Sequence, residues 1–218
     1  MAAWIALCRE AAVILDVGAN TGVYSLVAQT VNPQARVYSF EPLQRAHDSL
    51  KANVALNGYG IDCRRTALSD YDGDGVIYDL PVEHNYTASV NRNNYPSTYS
   101  VKETPIKTMT LSTFIETEKL DRVDLIKIDV ESHEPHVLAG MGPYLAAMKP
   151  VLLVEIWNDE IGERVEALVD GLGLVYLTSD EQSPLARTDH IRNPRGYREF
   201  QPLNYIICAP EVAARLCP

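Results

Sequence analysis

The stretch Val13-Ile14-Leu15-Asp16-Val17-Gly18-Ala19-Asn20-Thr21-Gly22 reads as a buried strand running into a glycine-bounded turn that opens a helix. Gly18 lets the backbone turn sharply and approach a ligand closely, and Gly22 lets the helix start against the strand. The helix N-terminus then offers unpaired N–H groups and a positive dipole end to a carboxylate. Asp16, at the strand end, is placed to face a ligand ammonium. A second apolar run ends in Phe40-Glu41-Pro42, with Glu41 19 residues past Gly22. A carboxylate at that point of an open α/β sheet takes two ribose hydroxyls.

The ligand is therefore expected to be a nucleoside. Nicotinamide dinucleotides favour G-x-G-x-x-G, whose glycines let the backbone wrap a pyrophosphate. Here the spacing is Gly18-Ala19-Asn20-Thr21-Gly22, with Asn20 at the middle glycine. A side chain there leaves less room for pyrophosphate but can hydrogen-bond an amino-acid moiety, which favours S-adenosylmethionine. An NAD-dependent oxidoreductase with an atypical turn is the competing enzyme reading. A non-catalytic nucleoside-binding Rossmann domain is the competing binding reading.

Outward from this turn, strand-like apolar runs alternate with helix-period stretches, the pattern of a mainly parallel sheet with helices on both faces. A helix with Val23, Leu26 and Val27 on one face follows the turn. Arg36 to Phe40 is strand two, and a helix from about Gln44 to Asn57 carries Ala46, Leu50 and Val54 before Gly58 stops it. Ile61 to Ala67 is a third strand. Residues from about 70 to 110, rich in Asn, Tyr, Ser and Thr, read as a strand-and-loop insertion, with Val76 to Leu80 and Pro105 to Met109 as strand pieces. Val123 to Val130 is a continuous buried strand, and a short helix around Pro135 to Ala139 carries proline in its first turn. Val151 to Ile156 is the next strand, Ile161, Val165, Leu168 and Val169 mark an amphipathic helix, and Leu174 to Leu177 and Asn204 to Cys208 close the sheet.

Composition bounds the function. The 218 residues suit one domain over 1–218. A net charge of -10 speaks against nucleic acid as the main partner, since phosphate binding needs a basic face. The locally basic stretch, Arg187, Arg192, Arg195 and Arg198, reads first as a solvated loop. Cys8, Cys63, Cys208 and Cys217 form no C-x-x-C pair and fit free thiols in a reducing cytoplasm. The N-terminal apolar run is broken by Arg9 and Glu10, so neither a secretion signal nor a membrane span is expected, and the sequon at Asn85-Tyr86-Thr87 carries no weight.

A second cluster, Asp129, Glu131, His133, Glu134 and His136, follows the fourth strand of the sheet at the carboxyl edge, where open α/β sheets bind ligands. Were a methyl of S-adenosylmethionine delivered to an oxygen, the displacement would be in line and the acceptor hydroxyl would lose its proton, so a base with a pKa near neutral would suit it. His133 is the first candidate, and Asp129 and Glu131 follow; Glu155 is a further substrate-side candidate. The bland alternative is that His133 and His136 are exposed residues of a helix's first turn. The acids could instead hold Mg²⁺, but no motif fixes a metal and none is expected. Asp70, Asp72, Asp74 and Gly75 match half of an EF-hand loop, but Pro81 stands where the bidentate Glu belongs, so a hairpin turn is expected. Tyr86, Tyr95 and Tyr99 of the insertion are candidates to cover the active site and grip a polar acceptor.

Taken together, these segments resemble the FkbM family of methyltransferases. The matching stretches are ILDVGANTGVYSL (14–26), VYSFEP (37–42), LKANVALNG (50–58), ALSD (67–70), TASV (87–90), VDLIKIDVESHE (123–134) and LLVEIW (152–157), in the family's order. The resemblance implies a Rossmann-like methyltransferase fold, a mainly parallel seven-stranded sheet with an antiparallel last strand. It implies O-methylation of a small natural product or sugar. It implies that Asp16, Gly18, Ala19, Asn20, Gly22, Glu41 and Pro42 bind cofactor while Ala67 and Leu68 border the adenine. Three departures stand out. Ser132 replaces the family's usual Gly, Ser112 replaces its usual Asp and is expected to be a helix N-cap, and only twelve residues precede the first strand, so substrate-side elements that some relatives carry there are expected to be missing. An Asn-Pro-Pro-Tyr motif typical of amide N-methylation is absent, so O-methylation leads. The expected partner is a small hydroxylated acceptor, with no nucleic acid and no membrane, and with a homodimer as the assembly to look for.

Overall fold

A computed structural model describes residues 1–79, 88–90, 92, 100–179, 184–193 and 203–217. Tyr86, Tyr95, Tyr99, Arg195, Arg198, the sequon and the end of the expected strand at Leu80 lie outside the described residues.

The strands of the main sheet are β1 (Val13–Val17), β2 (Arg36–Phe40), β3 (Asp62–Arg64), β7 (Leu125–Ile128), β8 (Val151–Ile156), β9 (Val175–Ser179), β10 (Ala186–Thr188) and β11 (Leu203–Cys208). Their order is β10-β9-β11-β8-β7-β1-β2-β3. The pairs β3-β2, β2-β1, β1-β7 and β7-β8 are parallel, and β11 enters antiparallel between β8 and β9. The expected seven-stranded arrangement is present, and Ala186–Thr188 adds an eighth strand at one edge that its mixed composition hides. A smaller sheet, β4-β6-β5, is built from β4 (Ala67–Ser69), β5 (Gly73–Asp79) and β6 (Lys102–Thr110). The stretch read as one strand over Ile61 to Ala67 is therefore two: β3 edges the main sheet, and the chain leaves it at Arg65 to pair Ala67 with Thr108.

Strand alternation sorts the core into two faces. Val13, Leu15 and Val17 point to one side with Ile126, Ile128, Leu152 and Val154. They pack there against α4 (Leu111–Thr117), α5 (Glu134–Ala139), α6 (Pro143–Met148) and α7 (Asp159–Val169). Ile14, Leu125 and Leu153 point to the other side, against α1 (Ala2–Cys8), α2 (Val23–Val31), α3 (Gln44–Asn57) and α8 (Pro210–Leu216). Asp16 and Lys127 share the parity of Ile14 and Leu125 and face each other in register across β1 and β7.

Local chemistry sets the element ends. Gly58 takes the left-handed conformation (φ 65°) that closes α3, its N–H reaching Ala55 O at 3.1 Å while Tyr59 N–H reaches Val54 O at 3.2 Å. Asn158 caps α7 by accepting from Ile161 N–H at 2.9 Å. The cap of α4 is Thr110, whose hydroxyl accepts from Thr113 N–H at 3.1 Å, and not Ser112 as expected. Ser112 is the second residue of the helix and donates to Gly140 O and Met141 O, both at 3.0 Å, tying α4 to the α5–α6 junction. The face of α2 also differs from expectation. Val23 is exposed, and Ser25, Ala28 and Gln29 are buried, because the helix turns Ser25 toward Asp16. The strand read over Val123 to Val130 is only four residues long. The Asp124 carboxylate is committed to Ala12 N–H and Val13 N–H at 2.9 Å, and the chain past Ile128 turns into the site. No helix among the described residues is long and apolar enough to cross a membrane.

Candidate active site

The Gly18–Gly22 turn is pinned to the end of β2. Gly18 N–H and Ala19 N–H both donate to Phe40 O at 3.0 Å, which brings Glu41 beside Asn20. Glu41 accepts from Asn20 N–H at 3.0 Å through Oε2 and from Leu43 N–H at 2.9 Å through Oε1. Burial pushes the Glu41 carboxyl up to about 7 against the pull of these two N–H groups. Gly18 (φ 78°) has no room for a side chain, since a Cβ would stand 1.8 Å from Asp129 O. The close approach it permits is thus to the backbone after β7. Gly22 (φ 94°) lets α2 pass α3, where a Cβ would meet Leu50 Cδ1 at 2.4 Å.

A cavity of about 460 Å³ opens at the carboxyl edge of the sheet. Gly18, Asn20, Glu41, Pro42, Ala67 and Leu68 line it together with Asp129, Glu131, His133 and Glu155. A second cavity of about 310 Å³ is lined by Gly18, Ala19, Asn20, Tyr24, Lys127 and Asp129, among others. Most of the cofactor residues read from the sequence therefore stand on one of these walls. Asp16 and Gly22 stand on neither.

The placement of Asp16 corrects the expectation that it faces a ligand ammonium. Alternation sends its carboxylate under α2, where it is fully buried and accepts from Ser25 N–H at 3.0 Å and Ser25 Oγ at 2.5 Å. Lys127 Nζ lies 3.8 Å from Asp16 and 3.0 Å from Asp129, with the Tyr24 ring centroid 4.5 Å away. Burial opposes the Lys127 ammonium, but the charges of Asp129 and Asp16 outweigh it and hold the group above its ordinary value. Sequence reasoning missed Lys127. The available signal was a single lysine interrupting an apolar parallel strand, a position that demands a buried partner.

On the acceptor side, Ile128 pairs with Val154, so one further step along β7 and β8 sets Asp129 opposite Glu155. Carboxylate oxygens of Asp129, Glu131 and Glu155 all lie within 4.8 Å of one another. Such an oxygen set has the ligand chemistry of a hard divalent cation. Burial, then the charge of Asp129, pushes Glu131 up to about 7. Burial and the neighbouring acids raise Glu155 well above the carboxylate range.

His133 lines the cavity, with Nε2 2.9 Å from Ser69 Oγ. Ser69 Oγ also donates to Asp70 Oδ1 at 3.1 Å. Burial, and then His136 stacked 4.4 Å away, lower the His133 pKa to about 4. It is a neutral imidazole at pH 7 and a weaker proton acceptor than Glu131. His136 lies outside the cavity, between Asp70 Oδ2 at 2.9 Å and Arg164 at 3.0 Å. Glu134 is fully buried behind the loop and does not line the cavity either.

An acid after β2, a crevice over β1 and an antiparallel strand set between β8 and β9 are the arrangement of a Rossmann-like methyltransferase. The chain belongs to the FkbM methyltransferase family, whose Methyltransferase FkbM domain matches residues 16–181. It is 28% identical over 205 residues to the 31-O-demethyl-FK506 methyltransferase FkbM of Streptomyces tacrolimicus, covering 81% of this chain and 77% of that one. It is 28% identical over 145 residues to the hexuronic acid methyltransferase AglP of Haloferax volcanii, covering 66% of this chain but only 56% of the relative. The crystal structure of methyltransferase FkbM from Methylobacillus flagellatus superposes with a TM-score of 0.54 at 14% identity, over 88% of this chain and 42% of that one, a likeness of fold.

Proposed function

We propose that the protein transfers a methyl group from S-adenosylmethionine to a hydroxyl oxygen of a small molecule, a natural product or a sugar. One observation carries this reading: a single cavity joins Glu41, beside the nucleoside turn, to the Asp129, Glu131 and Glu155 cluster. The residues fit the cofactor. Glu41 faces the cavity with lone pairs for ribose hydroxyls, Ala67 and Leu68 give an apolar wall for a base, and Asn20 Oδ1 is buried with no hydrogen-bond partner, an acceptor suited to an ammonium. When bound, the cofactor supplies an electrophilic methyl on a sulfonium.

The chain's own residues do the rest. Asp129 and Glu155 orient the acceptor hydroxyl by hydrogen bonds, and Glu131, with a pKa near neutral, takes its proton as the oxygen attacks. Transfer would form O–CH₃ as S–CH₃ breaks, with the electron pair left on sulfur and the acceptor's proton on Glu131. The names of the two relatives, one a hexuronic acid methyltransferase and one acting on a 31-O-demethyl compound, support a sugar or natural-product acceptor. The net charge of -10 favours such an acceptor over nucleic acid.

The test is calorimetric titration with S-adenosylhomocysteine beside NADH, followed by transfer from methyl-labelled S-adenosylmethionine to a panel of neutral hexopyranosides, glucuronic acid and hydroxylated macrolactones. Binding of S-adenosylhomocysteine alone, with label on an acceptor oxygen, is the expected result. Binding of NADH instead overturns the cofactor assignment, and binding without transfer to any of the panel points to the non-catalytic reading.

A further inference from the structure

Between β7 and α5 the chain does something side chains resist. Glu131 (φ 54°) and Ser132 (φ 72°) are consecutive non-glycine residues in the left-handed region. There the Cβ crowds the following carbonyl oxygen, and neither Glu nor Ser has the glycine exemption. Such a turn persists only where its surroundings hold it.

The group that holds it is Glu134. Glu134 is fully buried, and its Oε1 accepts from Val130 N–H and from Ser132 N–H, both at 3.1 Å. Those two amides flank Glu131, so one oxygen fixes the backbone on both sides of the proposed proton acceptor. Ser89, from the segment beyond β5, closes the other side by donating to Glu131 O at 2.8 Å. Glu134 Oε2 meets no hydrogen-bond partner, and burial pushes the carboxyl up to about 8. A carboxyl buried at this cost, supported by the amides of Val130 and Ser132 and by its own, with Oε2 unpartnered, is not explained by its own solvation.

We infer that Glu134 is the positioning residue of this active site: it clamps Val130 and Ser132 so that the left-handed turn presents Glu131 to the acceptor. The inference rests on the assignment of Glu131 made above. It also accounts for Ser132. A glycine would adopt this turn unaided, whereas a serine needs the clamp.

The test separates the clamp from general stability by pairing Glu134→Gln with Glu134→Met. Gln keeps the acceptor oxygen and resembles the protonated carboxyl; Met keeps the volume and removes the acceptor. In Glu134→Met, the Val130 and Ser132 amides should exchange hydrogen about tenfold faster or more, as expected for donors that lose their acceptor. Methyl transfer to the acceptor selected from the panel should fall about 50-fold in kcat, with S-adenosylhomocysteine affinity kept within about threefold, the signature of lost positioning rather than lost binding. Glu134→Gln should stay within about threefold of wild type in all three readouts. Adding Ser132→Gly to Glu134→Met should restore about tenfold or more of the lost rate, because glycine holds the turn without help.

Unchanged amide exchange in Glu134→Met overturns the clamp. So does a joint loss of kcat and S-adenosylhomocysteine affinity, or a double variant no faster than the single one. If Glu134→Met does not fold, Glu134→Asp, whose carboxylate falls a methylene short, replaces it with the same expected outcomes. If wild type binds S-adenosylhomocysteine but methylates nothing on the panel, the transfer reading falls while amide exchange still decides the clamp.

Discussion

Two turns at the carboxyl edge of the sheet do opposite things with the same conformation. After β1, the left-handed positions are Gly18, Asn20 and Gly22; after β7, they are Glu131 and Ser132. The first turn is glycine at the two positions that neighbours crowd, Gly18 against the Asp129 backbone and Gly22 against Leu50, and keeps a left-handed side chain only at Asn20; its shape is fixed by N–H groups donating to Phe40 O. The second turn keeps its side chains, because a carboxylate is wanted in the cavity, and it is held from beneath by Glu134. A turn that only cradles a ligand can be made of glycine. A turn that must also deliver a reactive group pays in strain and needs a buried anchor.

The largest effect should come from filling the first turn. Gly18→Ala places a Cβ against Asp129 O and forces a left-handed alanine, so stability should fall by about 3 kcal/mol or more, read by urea denaturation. A loss under about 1 kcal/mol would mean that the two turns are not in rigid contact. In the second turn the side chain matters instead. Glu131→Gln should slow methyl transfer about 10²-fold while leaving S-adenosylhomocysteine affinity unchanged. A rate within a few-fold of wild type would remove Glu131 from the proton path.

How legible the two turns are in sequence differs for the same reason. Strand, glycine, glycine, helix is a pattern that local sterics dictate, so Gly18, Gly22 and the position of Glu41 could be read directly. So could the ends of β1, β2 and α3, where an apolar period meets a glycine or a charged residue. The second turn carries no glycine, and the one hint that Ser132 is left-handed is that it stands where the resembled family usually has Gly. Side-chain direction was the other blind spot. Asp16 was expected in the cavity, yet strand parity and the register with Lys127 send it under α2, and register is known only once β1 and β7 are neighbours. His133 was read as the best base from its intrinsic pKa. Burial and the stacked His136, both tertiary facts, exchange its rank with Glu131.

Removing the carboxylate that the first turn grips should weaken the cofactor by an intermediate amount. Glu41→Ala should cost about 1.5–3 kcal/mol of S-adenosylhomocysteine affinity, because charge-assisted bonds to two hydroxyls are lost. pH should sharpen this. The folded carboxyl titrates at about 7, above its ordinary value of 4.5, so the folded state holds the proton between those values and stability from this group declines as pH rises across them. The ionised form is the one that accepts ribose hydroxyls. S-adenosylhomocysteine affinity should therefore rise as pH passes upward through about 7 in wild type and lose that dependence in Glu41→Gln. A pH-independent affinity in both would sink the ribose role. His133→Ala should slow transfer less than Glu131→Gln does, by about tenfold, since an imidazole near 4 is a poor proton acceptor at neutral pH. The reverse ranking would restore His133 as the base.

The smallest effect bears most directly on the contrast between the turns. Ser132→Gly makes the second turn resemble the first, trading left-handed strain for a larger loss of chain entropy on folding. The two terms nearly cancel, and the strain relief should win by about 0.5–1 kcal/mol, a rise in Tm of about 2–3 °C for a chain of this size. Differential scanning calorimetry resolves that shift. A fall in Tm would show that the clamp from Glu134 already makes the serine comfortable in its left-handed position, so that the strain inferred from φ 72° is not present as stored energy. The difference between the turns would then lie in their anchors alone.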